Sequence, residues 1–520
     1  MMALKSNTMY LPLFLILIYT FVGSWIPTPA EGARILAVET VGGKSHWNFM
    51  SSILRVLVDN GHNVTVFTPF TDGNRENYTE VDTSMVSEKL LDGQLTELMD
   101  KYGDLKAIIG EMSVMSRILC NVVYENKILA NTRSDFDVVL IEPLLSECVS
   151  YPAIKLNLPL IYVLPLPTLG IIERKLTGDV SNPAVVSMNI GKFGIPKTLA
   201  QRAINCADLI YCTVKYKFHE LYSQFTEPQE YDLYAPIPPS LIFVNRHFTI
   251  EPASSISSNV VGIGGIHLKA PKELPKDVLQ FIEKSPHGVV YLTFGSTVKV
   301  ASLPEHIKKA FIESLAQIPQ RVLLKYEDEQ EPMPNNVMTK NWLPQREILL
   351  HPKVKLFISH GGISGLYEAI DAGVPVLGFP LFGDQPRNID NLVNAGMAIS
   401  MDILTVTKDA FLKNVLELLN NEKYSENAKT ASKIFKDRPM SPENLVAYWT
   451  EYVIRHKGAP HLKSHALNLP WYQYYLLDLI ALILVFIIFV FYIAYKIFKS
   501  ISKLFSKDSR HTKSTKSKSE

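Results

Sequence analysis

"ARILAVETVGGKSHWNFMSSILRVLVDNGHNVTVFTP", Ala33 to Pro69, changes its hydrophobic periodicity twice in thirty-seven residues. The apolar run Arg34 to Val38 predicts a buried strand, and apolar residues at helical spacing from His46 to Asn60, stopped by Gly61, predict a helix. Val64 to Thr68 then predicts a second strand. Strand, helix and strand in that order form a parallel crossover, the opening of a doubly wound α/β domain. The triplet Gly43-Lys44-Ser45 has the ending of a P-loop, but that motif needs a glycine where Val38 stands, so a P-loop is excluded.

The same pattern repeats outward along the chain. "FDVVLIEP" (Phe136 to Pro143) and "LPLIYVLP" (Leu158 to Pro165) continue the first sheet. Ile237 to Leu268 is rich in Pro, Ser and Gly and holds short strands at most, which places a domain junction there. Beyond it, "GVVYLTFGS", "RVLLKY", "VKLFISHGG" and "VPVLGFP" recur as apolar strands between helical patterns and predict a second α/β sheet. The domains expected are 31–245 and 246–456. Ligands of such sheets bind in the crevice outside the carboxyl ends of the strands.

Both chain ends read as addresses. Lys5, the apolar run Tyr10 to Val22 and the small residues near Ala30 to Ala33 have the parts of a secretory signal over residues 1–30, with a first membrane span as the rival reading. A juxtamembrane segment is expected at 457–475. Residues 476–495 then form an apolar stretch of the roughly 20 residues that a bilayer span requires. The tail, 496–520, holds eight Lys/Arg and two acids, which makes it the cytoplasmic side. Lys516 and Lys518 near its end resemble a dilysine retrieval signal. The expected protein is a single-pass type I protein of the endoplasmic reticulum membrane with its body in the lumen. Asn77, in the polar run "TDGNRENYTE", is favoured over Asn63 as a glycan site. Lys+Arg 52 against Asp+Glu 51 gives a net charge of +1, so no global field recruits nucleic acid. Four cysteines lie in or beside apolar runs and do not by themselves define a disulfide scaffold.

"NWLPQREILLHPKVKLFISHGGISGLYEAIDAGVPVLGFPLFGDQPRN", Asn341 to Asn388, carries the chemistry. Gly361 and Gly362 let backbone approach a phosphate, and the helix beginning near Ser364 offers unpaired amides and a positive dipole end. His360 can donate to the same group. Glu368, one turn on from Ser364, can accept from both ribose hydroxyls, and Trp342 offers a flat face to a base with Gln345 close by. This stretch resembles the nucleotide-sugar signature of the UDP-glycosyltransferase family. "SHW" at 45–47, "FGS" at 294–296, "RHKGAPHL" at 455–462 and the basic tail extend the likeness, which is to animal membrane-bound members of the insect type.

The resemblance implies a GT-B fold of two facing Rossmann-like domains. It implies Ser296, Lys325, His360, Gly362, Ser364 and Gly365 near the phosphates, and Asp384 and Gln385 on the sugar hydroxyls. It also makes His46 the catalytic base, at a helix start whose dipole keeps the ring neutral. The aspartate that family members commonly carry to orient the base corresponds to Glu142, with Glu147 the alternative if the loop is offset. No metal and no cofactor beyond the UDP-sugar co-substrate are expected: the lone Asp135-Phe-Asp137 string precedes a strand rather than following one. Attack opposite the leaving group gives inversion, from an α-linked donor to a β-glycoside. UDP-glucose is favoured as donor, and a small lipophilic hydroxyl compound as acceptor. UDP-glucuronate, with Arg246 or Lys325 as its cation, is the alternative, as is a non-catalytic membrane-bound carrier of hydrophobic ligands. A homo-oligomer stays open.

Overall fold

The computed structural model describes residues 32–84, 95–103, 105–125, 135–143, 148–233, 236–296, 298–328 and 332–516. The expected signal segment, Glu147 and the last four residues lie outside them.

The opening stretch folds as its periodicity dictates. β1 (Arg34–Val38), helix α1 (Lys44–Asp59) and β2 (Asn63–Thr68) form a parallel crossover, with Ala37 opposite Val66. α1 starts two residues before the expected position, which puts His46 in its first turn. β3 (Tyr78–Asp82), β4 (Val138–Ile141), β5 (Leu160–Leu164), β6 (Leu241–Val244) and β7 (Val260–Gly262) complete an all-parallel sheet in the order β3-β2-β1-β4-β5-β6-β7. Its middle strands are covered on both faces, which is why they read as unbroken apolar runs. Ile35 and Ala37 pack with Trp47, Phe49 and Ile53 of α1 on one face, while Leu36, Val38 and Ile141 pack with Tyr162 and Leu164 on the other. β3, at the sheet edge, mixes polar and apolar residues without alternation and carries too little hydrophobicity to announce itself. β7 lies beyond the junction expected near residue 245 yet pairs with β6.

In α2 (Leu105–Glu125), Ile108, Met115 and Leu119, spaced seven and four apart, form one buried helical stripe. α3 (Leu199–Thr226) begins with a capping box at Thr198 and Gln201. Cys120 is disulfide-bonded, and Cys206 and Cys212 are free thiols.

The second sheet comprises β8 (Val289–Thr293), β9 (Arg321–Lys325), β10 (Val337–Lys340), β11 (Val354–Ser359), β12 (Val376–Gly378) and β13 (Ala398–Ser400), again all parallel, ordered β10-β9-β8-β11-β12-β13. α4 (Ile363–Ala372) follows β11, and α5 (Gln385–Asn394) follows β12. A buried ion pair ties this half to the crossing chain: Arg387 of α5 makes two bonds to Glu251, at 2.9 and 2.6 Å. Tyr367 Oη donates to the Asn245 carbonyl at 3.2 Å. The chain then returns to the first half, where α6 (Pro442–Arg455) lays Val446 and Val453 into the core beside α1.

Residues from Ser464 onward form a separate unit. Its helix α7 (Leu477–Lys516) contains, at Leu477–Lys503, the one segment among the described residues long and apolar enough to cross a membrane, with a mean hydropathy of 3.0.

Candidate active site

A cavity of about 610 Å³ opens at the carboxyl ends of both sheets. From the second sheet, β11 ends at Ser359 and the chain turns through His360, Gly361 and Gly362 into α4. Gly361 holds φ at +91°, and a side chain there would meet Ile389 at 2.7 Å. The imidazole of His360 is wedged between two glycine backbones: a Cβ on Gly295 would come within 2.8 Å of the ring and one on Gly362 within 2.7 Å. Burial, reinforced by the positive charge of Lys325, pushes the His360 pKa down to about 4, so the ring is neutral at physiological pH. Gly362 caps α4 without a side-chain acceptor, which leaves the first amides of the helix facing the cavity.

The remaining donor-side residues line the same space. Lys325, at the end of β9, pairs with Glu327 at 2.8 Å, and Ser296 follows β8. Gln345 Nε2 donates to Glu368 at 2.5 Å; burial raises the Glu368 carboxyl to about 7, and the amide works against that rise. Trp342 is 72% exposed, so its indole face is free for stacking and is not a core element. Asp384 accepts from Asn388 at 2.6 Å. The Gln385 oxygen accepts from the amides of Leu381 and Phe382 at 2.9 and 3.2 Å, which leaves its Nε2 as the group able to donate. Sequence reasoning missed His267, whose Nε2 donates to the Ser364 carbonyl at 3.0 Å and steadies the first turn of α4.

From the first sheet comes His46. Its Nδ1 lies 2.5 Å from Glu142 Oε1, at the end of β4, in a part-buried contact. With Glu142 ionised, Nδ1 carries the proton and Nε2 is left as the acceptor. Burial lowers the His46 pKa, against the opposing pull of Glu39 and Asp384, and its response to Asp384 marks the approach of the two halves. Glu39, which follows β1 as Glu142 follows β4, was also missed; a buried acid directly after a central strand was the available signal. Asp135 and Asp137 sit at the opposite end of β4, bound to Arg34, away from the cavity. Among the described residues no group of three or more His, Cys, Asp or Glu is arranged to hold a metal. The wall beyond His46 is apolar, with Ile108 and Met115 from α2, Leu166, Leu169 and Ile172 after β5, and Met188.

The profile of the family described as "UDP-glucoronosyl and UDP-glucosyl transferase" matches residues 33–511. UDP-glucosyltransferase 2 of Dactylopius coccus is 37% identical over 467 residues, covering 88% of this chain and 90% of the relative. UDP-glucuronosyltransferase 2B17 of Rattus norvegicus is 33% identical, covering 84% and 87%. Among solved structures, the glycosyltransferase VinC in complex with dTDP aligns with a TM-score of 0.51 at 17% identity, over 82% of this chain and all of that one. That likeness, with the two parallel sheets, shows the GT-B fold.

Proposed function

The chain belongs to the UDP-glucuronosyl and UDP-glucosyl transferase family and is a UDP-glycosyltransferase, and from that premise we propose inverting transfer of glucose from UDP-glucose to a hydroxyl of a small lipophilic acceptor. The observation that carries this reading is the single cavity joining His46, backed by Glu142 at 2.5 Å, to the phosphate cradle at the start of α4.

In this reading the uracil stacks on Trp342 beside Gln345, and the ribose hydroxyls bind Glu368. The diphosphate meets the α4 amides of Ser364 and Gly365, with Gly362, His360, Ser296 and Lys325. Asp384 accepts from sugar hydroxyls and Gln385 Nε2 donates to them. His46 Nε2 takes the acceptor proton while that oxygen attacks the anomeric carbon, and Glu142 stabilises the imidazolium that forms. Charge growing on UDP is met by fixed donors, so the reaction needs neither a metal nor a cofactor beyond the co-substrate. Attack from the face opposite UDP yields the β-glycoside.

Glucose is favoured over glucuronate on charge. Lys325 and Arg346, the two cations most enclosed by the cavity, are paired with Glu327 and Asp371 at 2.8 and 2.9 Å. Arg246 donates to the Pro252 carbonyl and to Ser254. Lys44 and Lys272, which also line the cavity, are exposed and hydrated. A glucuronate carboxylate would thus find no desolvated free cation among the described residues. The apolar wall suits an acceptor that partitions into lipid, and the apolar segment Leu477–Lys503 suits a membrane anchor. The endoplasmic reticulum, with the body in the lumen, is the proposed site.

The test is UDP release from the full-length protein in microsomes, with UDP-glucose against UDP-glucuronate and a panel of phenols. Release with glucuronate alone overturns the donor assignment, and an α-linked product by NMR overturns inversion. Acceptor binding with no UDP release from any donor would point to a carrier instead.

A further inference from the structure

Two carboxyls, rather than one, stand behind His46. β1 and β4 run parallel with Val38 opposite Ile141, and the next residue on each strand is an acid, Glu39 and Glu142. Residues paired across parallel strands project to the same side of the sheet, so the two side chains emerge together. The backbones stay joined past the strand ends: the Glu142 amide donates to the Val38 carbonyl at 3.3 Å, and the Thr40 hydroxyl to the Glu142 carbonyl at 3.0 Å. Each carboxyl residue is 1% exposed.

Both Glu39 oxygens and Glu142 Oε2 lack a well-aligned hydrogen-bond partner in this buried pocket, and the Val41 backbone acts only weakly on Glu39. The groups facing the pair are His46 from α1 and, acting on His46 from the turn before α5, Asp384; no lysine or arginine is among those acting on either acid. Two anions side by side without a cation, in low dielectric, repel strongly. A single proton between them removes the repulsion and joins two of the three orphaned oxygens in one hydrogen bond. Burial raises both acids, Glu142 to about 8; the neighbouring carboxyl raises Glu39 further, whereas a hydrogen bond from Glu39 works against the rise of Glu142 and the His46 N–H stabilises its charge.

We propose that Glu39 is a positioning residue for sugar transfer: as a neutral acid it donates its proton to Glu142 and so keeps Glu142 the carboxylate that orients His46. The inference rests on His46 as base. The pair holds one proton and one negative charge throughout. When the acceptor O–H bond breaks, its proton goes to His46 Nε2, the acceptor oxygen bonds the anomeric carbon, and the electrons of the cleaved glycosyl bond leave on UDP. The imidazolium then faces one anion. Two anions would trap the proton, and a lone buried Glu142, without its donor, would itself tend to protonate.

The experiment compares Glu39→Gln, Glu39→Leu and His46→Ala in the full-length protein by UDP release across pH. Gln keeps the donor but cannot ionise, so kcat and the acid limb of the profile stay close to wild type. Leu removes the donor: kcat falls ~10- to 100-fold, as is typical on loss of a supporting hydrogen bond, the donor KM holds, and the acid limb moves to higher pH. A Leu variant with wild-type kcat and acid limb, or a Gln variant as impaired as Leu, overturns the proposal. Full activity in His46→Ala would instead remove the base assignment itself. Infrared difference spectra of wild type minus the near-isosteric Gln variant give a readout independent of whether the Leu variant folds. A neutral carboxylic acid stretch at neutral pH is expected, and its absence overturns the proposal.

Discussion

The proposed donor half of the cavity has a phosphate cradle built from backbone, whereas the acceptor half is built from side chains throughout. On the donor side, Gly295, Gly361 and Gly362 stand where any Cβ would collide with His360 or Ile389, and the ligand-facing groups are helix amides. On the acceptor side, the wall is Ile108, Met115, Leu169 and their neighbours, and the polar machinery shrinks to acids at two adjacent strand ends and one histidine. A backbone cradle is specific because almost nothing can be added to it, while an apolar wall tolerates exchange at constant volume. The two halves should therefore fail differently when altered.

The largest effect belongs to His46→Ala. Loss of a positioned base costs about 10²- to 10⁴-fold in kcat, and since His46 lies on α1, apart from the cradle, the KM for UDP-glucose should hold. Initial rates of UDP release at varied donor concentration separate the two. Gly362→Ala should show the mirror image. Its Cβ would sit 2.7 Å from His360 Nε2, so the ring must shift into the space meant for phosphate. A rise in donor KM of about tenfold, or ~1.4 kcal/mol by affinity arithmetic, is expected, with kcat at saturation nearly kept. If the first variant moved KM alone, or the second moved kcat alone, the division between halves would be broken.

That division also explains what was legible in the sequence. The proposed donor half lies on one ribbon, Asn341 to Asn388, whose spacings are fixed by local turns and one helix, so the family resemblance carries Trp342, His360, Glu368 and Asp384 over in order. The acceptor half is assembled by sheet register between segments a hundred residues apart. Glu142 was reached by counting along a strand, but its neighbour Glu39 becomes visible only when β1 and β4 pair with Val38 beside Ile141. The acceptor wall is not legible in the sequence because apolar residues at helical spacing in α2 carry no mark of which face meets a cavity. Edge strands such as β3, polar and short, left no period to detect.

A smaller effect is expected at Trp342, the proposed stacking face for the base, whose side chain is exposed. Base–aromatic stacking contributes about 1–3 kcal/mol, and with 72% of the residue exposed, the low end applies. Trp342→Ala should raise donor KM about fivefold, leave thermal stability unchanged, and be largely rescued by Phe, which restores a flat face. A drop in melting temperature with no change in KM would move Trp342 from the donor site to the scaffold.

The subtlest expectation is the position of the acid limb of kcat/KM. An ordinary histidine titrates near 6.5, and burial lowers that of His46 more than the neighbouring acids raise it. The base works when unprotonated, so a lowered pKa keeps it available to lower pH, and activity should be lost only as pH falls below about 6.5. Asp384→Asn tests how far the donor half reaches across the cavity. Removing an anion that favours imidazolium should move the limb lower still, while donor KM rises through the lost sugar contact. A limb that stays put would mean that the charge on His46 is set by its own half alone, with the two sides of the cavity joined by the substrate rather than by their fields.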